Sequence, residues 1–285
     1  MILADIDLAR RIDGFEARGS KAIGEAAIRD DPDARPFVRC IGHGIAVYSG
    51  PNSPANKVIG VGFDGEPETS LLEEIERAYF ERESPVQAEV STLARPSVHA
   101  LLTQRGYTLQ GFEDVLGRAL SDSLAWSTAV SRSTIGVVQK DALPAWMDIM
   151  ITGFENPDKS GAGSGIAIPP RQAIEDAFRA FAQTPGFRAY LARIGDKAAG
   201  GATLRIDEGI GQMCGAATLP DYRRRGIQTE LLHRRLEDAR RAGCDLAIMT
   251  AQPGSKSHFN AQRQGFELLY SRALLVKMPV TILRS

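Results

Sequence analysis

Residues 219–236 read LPDYRRRGIQTELLHRRL. Three adjacent arginines, Arg223, Arg224 and Arg225, run into Gly226, and a helix-forming sequence follows at once. The start of a helix is the positive end of its dipole, so cations there are disfavoured. Either the cluster is a solvated charge run or an anion offsets it. The stretch before it, GQMCGAATLP, reads as a strand. A strand that feeds a helix through a glycine turn leaves backbone N–H groups unpaired at the helix start. Those groups, the dipole and the arginines together suit a pyrophosphate. No Gly-Lys-Ser/Thr follows, which excludes a Walker loop, and a single glycine excludes a dinucleotide fingerprint.

Arg223-Arg224-Arg225-Gly226-Ile227-Gln228 after TLPDY resembles the pyrophosphate loop of the GNAT superfamily of acyl-CoA-dependent N-acyltransferases. That loop reads Arg/Gln-x-x-Gly-x-Gly/Ala after a strand ending near a proline. The order of elements over 133–277 and the pair Gly265-Phe266 match as well. The resemblance implies that backbone amides of Arg224, Arg225, Gly226, Ile227, Gln228 and Thr229 hold the CoA pyrophosphate. It implies that Ala216, Ala217 and Thr218 pair with the pantetheine arm like an added strand, and that Asn260, on a short helix, touches the cofactor. It further implies acetyl-CoA as co-substrate, no metal, and direct attack of a primary amine on the thioester. An N–H of a splayed strand would steady the oxyanion, and proximity would supply much of the rate.

The sequence departs from the family pattern in three places. Gln228 stands where the loop has a small residue. Ala261 stands four residues before Gly265, where a tyrosine acid is frequent. GQMCGAATL and LAIMT hold no glutamate to act as base. The catalytic residues are therefore unassigned. Asp207, Glu208, Glu155 and His258 are the substitutes, and water can also take the amine proton.

The elements that must position this loop recur in two halves. VSTLARPSVHALLTQRGYTLQGFEDVLGRAL parallels IMTAQPGSKSHFNAQRQGFELLYSRALLVKM, with His99 matching His258. Such self-similarity predicts two copies of one fold, and the resemblance implies that this is an α/β (α+β type) fold of two GNAT-like mixed-sheet domains in tandem. The C-terminal one carries the splayed central strand and the loop. The expected domains are 1–125, degenerate, and 133–285, the acyltransferase, with the polar linker 121–133 between them. The first half places FDGEPETS before its helix 69–83, acidic and without a basic glycine turn, so it is not expected to bind CoA. Thr69 or Ser70 would cap that helix. The N-terminal helical stretch is expected to break at Gly19–Ser20, and strands to begin at residue 44.

On the helix after the loop, Ile227, Leu231, Leu232 and Leu236 form the inner face. Arg234, Arg235, Arg240 and Arg241 read as solvated, with Glu230–Arg234 and Glu237–Arg241 as i, i+4 pairs. Cys214 reads as a buried structural thiol, Trp126 and Trp146 as packing residues, and the Gly/Ser-rich stretch 155–169 as a linker or a substrate lid.

The net charge of −1 argues against a nucleic-acid partner. Three cysteines without metal-ligand spacing fit a reducing compartment. The N-terminus lacks a signal peptide's apolar core, and no apolar run approaches the ~18 residues of a membrane span. The expectation is a cytoplasmic monomer or homodimer, without a membrane partner, acting on a small-molecule or peptide amine. A non-catalytic acyl-CoA sensor or scaffold is the alternative, since the usual acid and base are missing.

Overall fold

The amphipathic stretch 6–30 forms a single helix in the computed structural model, which describes residues 2–121, 133–156 and 169–279. This is α1 (Ile6–Asp30), capped by Asp5, whose Oδ1 accepts from the Leu8 N–H at 2.8 Å. Gly19–Ser20 does not interrupt it. Gly24 has a packing role instead. A Cβ there would lie 2.5 Å from Val38 Cγ2 and 2.8 Å from Val47 Cγ1, so the missing side chain lets α1 lie close on the strands.

The first half continues with β1 (Phe37–Ile41), β2 (Gly44–Tyr48), β3 (Lys57–Ile59), α2 (Thr69–Phe80), β4 (Val86–Ser91), α3 (Pro96–Gln104) and β5 (Thr108–Ala119). Strand β1 precedes the expected start because exposed Arg39 and Cys40 interrupt its apolar pattern. The residue at the α2 N-cap is Glu68, without a side-chain cap bond, so Thr69 and Ser70 are already helical. Next come β6 (Thr134–Val137), α4 (Leu143–Glu155), α5 (Arg171–Phe181), β7 (Phe187–Ile194), β8 (Lys197–Asp207), β9 (Ile210–Gln212) and β10 (Ala216–Thr218). The chain closes with α6 (Ile227–Arg241), β11 (Leu246–Ala251), α7 (Lys256–Arg263) and β12 (Glu267–Lys277). The linker between Ser121 and Ser133, Trp126, and residues 157–168 of the Gly/Ser-rich stretch lie outside the described residues. No helix among the described residues is long and apolar enough to cross a membrane.

Contacts divide the chain into two units. The first comprises Leu3–Val115, Gln172–Thr184 and the chain from Leu268. The second comprises Met1–Ile2, Leu116–Arg171 and Pro185–Glu267. The first unit's strand order is β1-β2-β3-β4-β12-β5, with β12 antiparallel to β4 from Arg272↔Ser91 to Lys277↔Val86. Its apolar core gathers Phe37, Tyr48, Tyr79, Val90 and Leu275. In the second unit the order is β11-β9-β8-β7-β6, and β10 pairs with β8. Its core joins Leu116, Tyr190, Leu204, Leu231 and Phe266. Trp146 is fully buried and donates Nε1–H to the Tyr190 carbonyl at 3.2 Å, the packing role expected of it.

A charged network lies inside the first unit. Arg272, fully buried, donates to Asp13 Oδ1 and Glu16 Oε2, each at 2.6 Å. Tyr270 OH donates to the same Asp13 oxygen at 2.6 Å. Lys57 pairs with Glu89 at 2.7 Å, and Glu113 lies 3.5 Å from Arg272 Nη1. Burial, followed by the Glu89 carboxylate, pushes Glu113 up to about 7 against the pull of Lys57 and Arg272, with Glu16 adding to the rise. The folded carboxyl therefore holds its proton to higher pH than the unfolded one. This contribution to stability is present in acid and is lost as pH rises through about 7. Replacing Glu113 by Gln should remove a slope of at most about 1.4 kcal/mol per pH unit between roughly pH 5 and 7. Urea denaturation across that range measures it.

Candidate functional site: a splayed strand and a basic helix start

In the second unit β8 holds two short strands along one edge. Its Arg205–Asp207 end pairs with β9, and Gly200–Ala202 pairs with β10. Between them, Met213–Gly215 bulges out of the ladder. On the β9 side strand β11 is paired over Leu246–Ile248, and Met213 N–H to the Ile248 carbonyl at 2.8 Å is the last bond there among the described residues. Beyond it Met249–Ala251 and Ala216–Thr218 diverge. The expected splay is present, one strand split by a bulge into two.

The backbone of β10 shows what this gap offers. Leu219 N–H donates to Ala199 O at 3.0 Å, and Thr203 N–H donates to Gly215 O at 3.1 Å. Residues 215, 217 and 219 thus address β8. By the alternation of an extended strand, Ala216 and Thr218 turn their backbone groups into the gap. Arg223 Nε takes the Thr218 carbonyl at 3.3 Å. Thr218 Oγ1 is buried and has no hydrogen-bond partner among the described residues. An extended ligand with its own amide groups could add to this edge as a strand does.

The bulge is fastened from beneath by a residue that the sequence reading placed in solvent. Arg235 is 2% exposed. Its Nε donates to Leu231 O at 3.1 Å, and its Nη1 to Thr203 O at 2.9 Å, Cys214 O at 3.4 Å and Gly215 O at 3.5 Å. The signal was available. At about 100° per residue, Ile227, Leu231, Leu232 and Leu236 span about 180° of helix, and Arg235 falls near the centre of that arc, at about 80°. Two further expectations for α6 divide. Glu237–Arg241 forms, at 2.5 Å. Arg234 pairs with Asp238 at 3.1 Å rather than Glu230, because Glu230 accepts from Ser133 N–H at 3.2 Å and from the Ser133 hydroxyl.

The loop itself turns through two left-handed residues, Arg224 (φ 61°) and Gly226 (φ 85°). Among the described residues no side chain caps α6, and its first intrahelical bond is Glu230 N–H to Gly226 O at 3.0 Å. The N–H groups of Ile227, Gln228 and Thr229 therefore lack helical acceptors. The three arginines differ. Arg223 is engaged by the carbonyls of Thr218 and Asn156. Arg225 stacks on Tyr222, 5.5 Å to the ring centroid, and donates to Asp221 O at 3.1 Å. Arg224 and Arg225 are both exposed at the mouth of the turn, and Gln228 is exposed beside them, so its bulk does not fill the cradle. An uncapped helix start with two exposed guanidinium groups fits a phosphate anion. In the first unit, the corresponding turn into α2 carries Asp64, Glu66 and Glu68, and Asp64 holds His43 Nδ1 at 2.7 Å.

Of the acid–base substitutes, Asp207 and Glu208 sit at the β8–β9 turn, away from the splay, and Asp207 pairs with Arg205 at 3.1 Å. His258 is buried in the first turn of α7, and Asn260 is half-buried on the same helix. Ala261 is buried in the core, so nothing at that position reaches a substrate. Glu155 ends α4, the helix whose Gly153 packs on Ala217, and pairs with Arg171 at 3.1 Å. It is the one substitute that the fold brings beside β10. Cys214 is half-buried, its Sγ 3.2 Å from Gln212 Oε1.

The second unit thus combines a mixed sheet, a strand unpaired from its neighbour past a bulge, a basic turn and a helix start without a cap. The family model described as "Acetyltransferase (GNAT) family" matches residues 157–266. The fold is shared with a GCN5-related N-acetyltransferase from Kribbella flavida (TM-score 0.62, 16% identity, 92% of this chain and 95% of that one). A GCN5-related N-acetyltransferase from Sphaerobacter thermophilus is also similar (0.55, 16%, 74% and 67%). So is a functionally unknown conserved protein from Staphylococcus epidermidis (0.55, 11%, 89% and 98%). No curated protein matches the chain in sequence.

Proposed function

We propose that the chain is an acetyl-CoA-dependent N-acetyltransferase with one donor site, in the second unit. The carrying observation is the continuity of β10, the left-handed turn and the uncapped start of α6. A free strand edge takes the pantetheine amides at Ala216 and Thr218, while Ala217, expected from the sequence to join them, turns its backbone groups to β8. The turn and first helical residues, Arg224, Arg225, Gly226, Ile227, Gln228 and Thr229, take the pyrophosphate, and Asn260 adds a polar contact. The thioester supplies an activated acyl carbon. Amine nitrogen attacks that carbon, the new C–N bond forms as the C–S bond breaks, and the thiolate leaves with the bonding pair. The ammonium proton passes to Glu155 or to water, and the thiolate is protonated from solvent. N–H groups at the bulge receive the negative charge that develops on the acyl oxygen. The acidic first unit is proposed as a degenerate copy that does not bind CoA.

Phe154 and Met150 favour a short acyl group. Phe154 is 40% exposed, and its Cζ lies 3.6 Å from where a Cβ on Gly215 would be, with Met150 Cε at 3.4 Å. Phe154→Ala should raise kcat/KM for butyryl-CoA relative to acetyl-CoA about tenfold, as one or two methylenes gain room. Competing turnover of the two thioesters checks it.

The experiment that tests the function is thiol release from acetyl-CoA with a panel of primary amines. Amine-dependent release supports the enzyme. Tight CoA binding without turnover on any amine would favour the sensor.

A further inference from the structure

The carbonyl oxygens of Cys214 and Gly215 both point toward β8. Thr203 N–H lies 3.2 Å from one and 3.1 Å from the other, and the Thr203 hydroxyl also donates to the Cys214 oxygen. A trans peptide is planar, with its N–H opposed to its C=O. The N–H groups of Gly215 and Ala216, which share those two peptide planes, therefore face away from β8 and toward the splay. A backbone left to itself in an antiparallel ladder would alternate instead, turning one of two consecutive planes each way. Gly215, left-handed at φ 43°, lets both planes lie in the same sense, and the donors that meet the two carbonyls hold them there.

We propose that Arg235 is a positioning residue for acyl transfer: it draws the Cys214 and Gly215 carbonyls inward so that two consecutive N–H groups face the acyl oxygen. The inference rests on the acyltransferase reading above. Three carbonyls, from Thr203 on one strand and Cys214 and Gly215 on another, converge on one Nη1 atom, with distances of 2.9 to 3.5 Å. A planar guanidinium presents several donors in a fixed fork, which a lysine or a hydroxyl cannot do. Among the described residues, none of its hydrogen bonds goes to a carboxylate. Burial holds Arg235 down to about 10, so it stays charged at neutral pH. A buried cation without a carboxylate partner is costly. The negative charge that appears on the acyl oxygen during attack, and on sulfur as it leaves, offsets that cost in the transition state more than in the ground state.

The test compares Arg235→Met and Arg235→Lys with wild type in three readouts: CoA affinity by calorimetry, kcat, and the carbonyl stretch of 13C-labelled acetyl-CoA in the bound state. Wild type should shift the stretch to lower frequency. Arg235→Met should keep CoA affinity within about threefold, lose roughly tenfold to a hundredfold in kcat, and return the stretch toward its solution value. Arg235→Lys should fall between. An unchanged kcat and stretch in Arg235→Met overturns the proposal. So does a parallel loss of affinity and kcat, which is what mere structural support would give. Should Arg235→Met fail to fold, Arg235→Lys decides: a lowered kcat and a weakened shift at retained affinity support the role, and wild-type values refute it. If wild type itself does not bind acetyl-CoA, it is the acyltransferase reading that fails. If wild type binds it without any shift of the stretch, the role of Arg235 alone fails.

Discussion

Replacing Arg224 and Arg225 together by glutamate should weaken CoA binding at least about a hundredfold, with little change in stability. Both side chains are exposed at the turn into α6. Their present contacts are a stack on Tyr222 and a bond to a backbone carbonyl for Arg225, neither buried in a core. Loss of two charge-assisted hydrogen bonds removes about 1.5–3 kcal/mol each, and two carboxylates beside a pyrophosphate add repulsion. Every ~1.4 kcal/mol is a factor of ten. The effect should weaken with added salt, since exposed charges are screened. Arg223→Ala should behave differently. Arg223 ties Thr218 and Asn156 through their carbonyls, so its loss should loosen the end of β10 rather than remove a phosphate contact. Calorimetric titration of the double variant, with its thermal midpoint as a control, measures both expectations.

Replacing Arg272 by methionine should cost about 3–5 kcal/mol of stability. Its guanidinium is fully buried and serves Asp13 and Glu16, with Tyr270 sharing the Asp13 oxygen. Removal leaves two carboxylates in an apolar setting without their cation. Asp13 Oδ2 already lacks a hydrogen-bond partner among the described residues, so no spare donor stands ready. The charges, not the shape, should set the cost. Asp13→Asn added to Arg272→Met should then lose less than the sum of the single changes, by about 1–3 kcal/mol in a double-mutant cycle. Urea denaturation of the four proteins measures it, and strict additivity would show that the two side chains do not act as a pair.

The turn into α6 was legible in the sequence because its signal is local. RRRGIQ after a strand is a short run whose glycine, charges and helix start all concern neighbouring residues. The split of one strand into β9 and β10 was missed although Gly215 marks it: GQMCGAATL reads as one apolar run, and the glycine that turns left-handed at the bulge (φ 43°) was passed over. Arg235 was misread for a different reason. The i, i+4 pairing rule was given precedence over the helix face, and the arc between Ile227 and Leu236 already enclosed it. Arg272 escaped notice because an arginine in SRALLVKM reads as the solvent side of a strand, while β12 lies between β4 and β5 and Arg272 meets Asp13 of α1. Alternation tells which face of a strand is buried, not which strands flank it. The residues from Leu268, which group with the first half of the chain, illustrate the same limit.

The central claim is that one strand-turn-helix unit, in the second half, holds the acyl donor. Calorimetric titration of the full chain with CoA tests it most directly. The account predicts one site per chain, lost when Arg224 and Arg225 are reversed and kept when Asp64 and Glu66 in the acidic turn of the first unit are changed to alanine. Two sites per chain, no binding at all, or a site that survives the arginine reversal would contradict it.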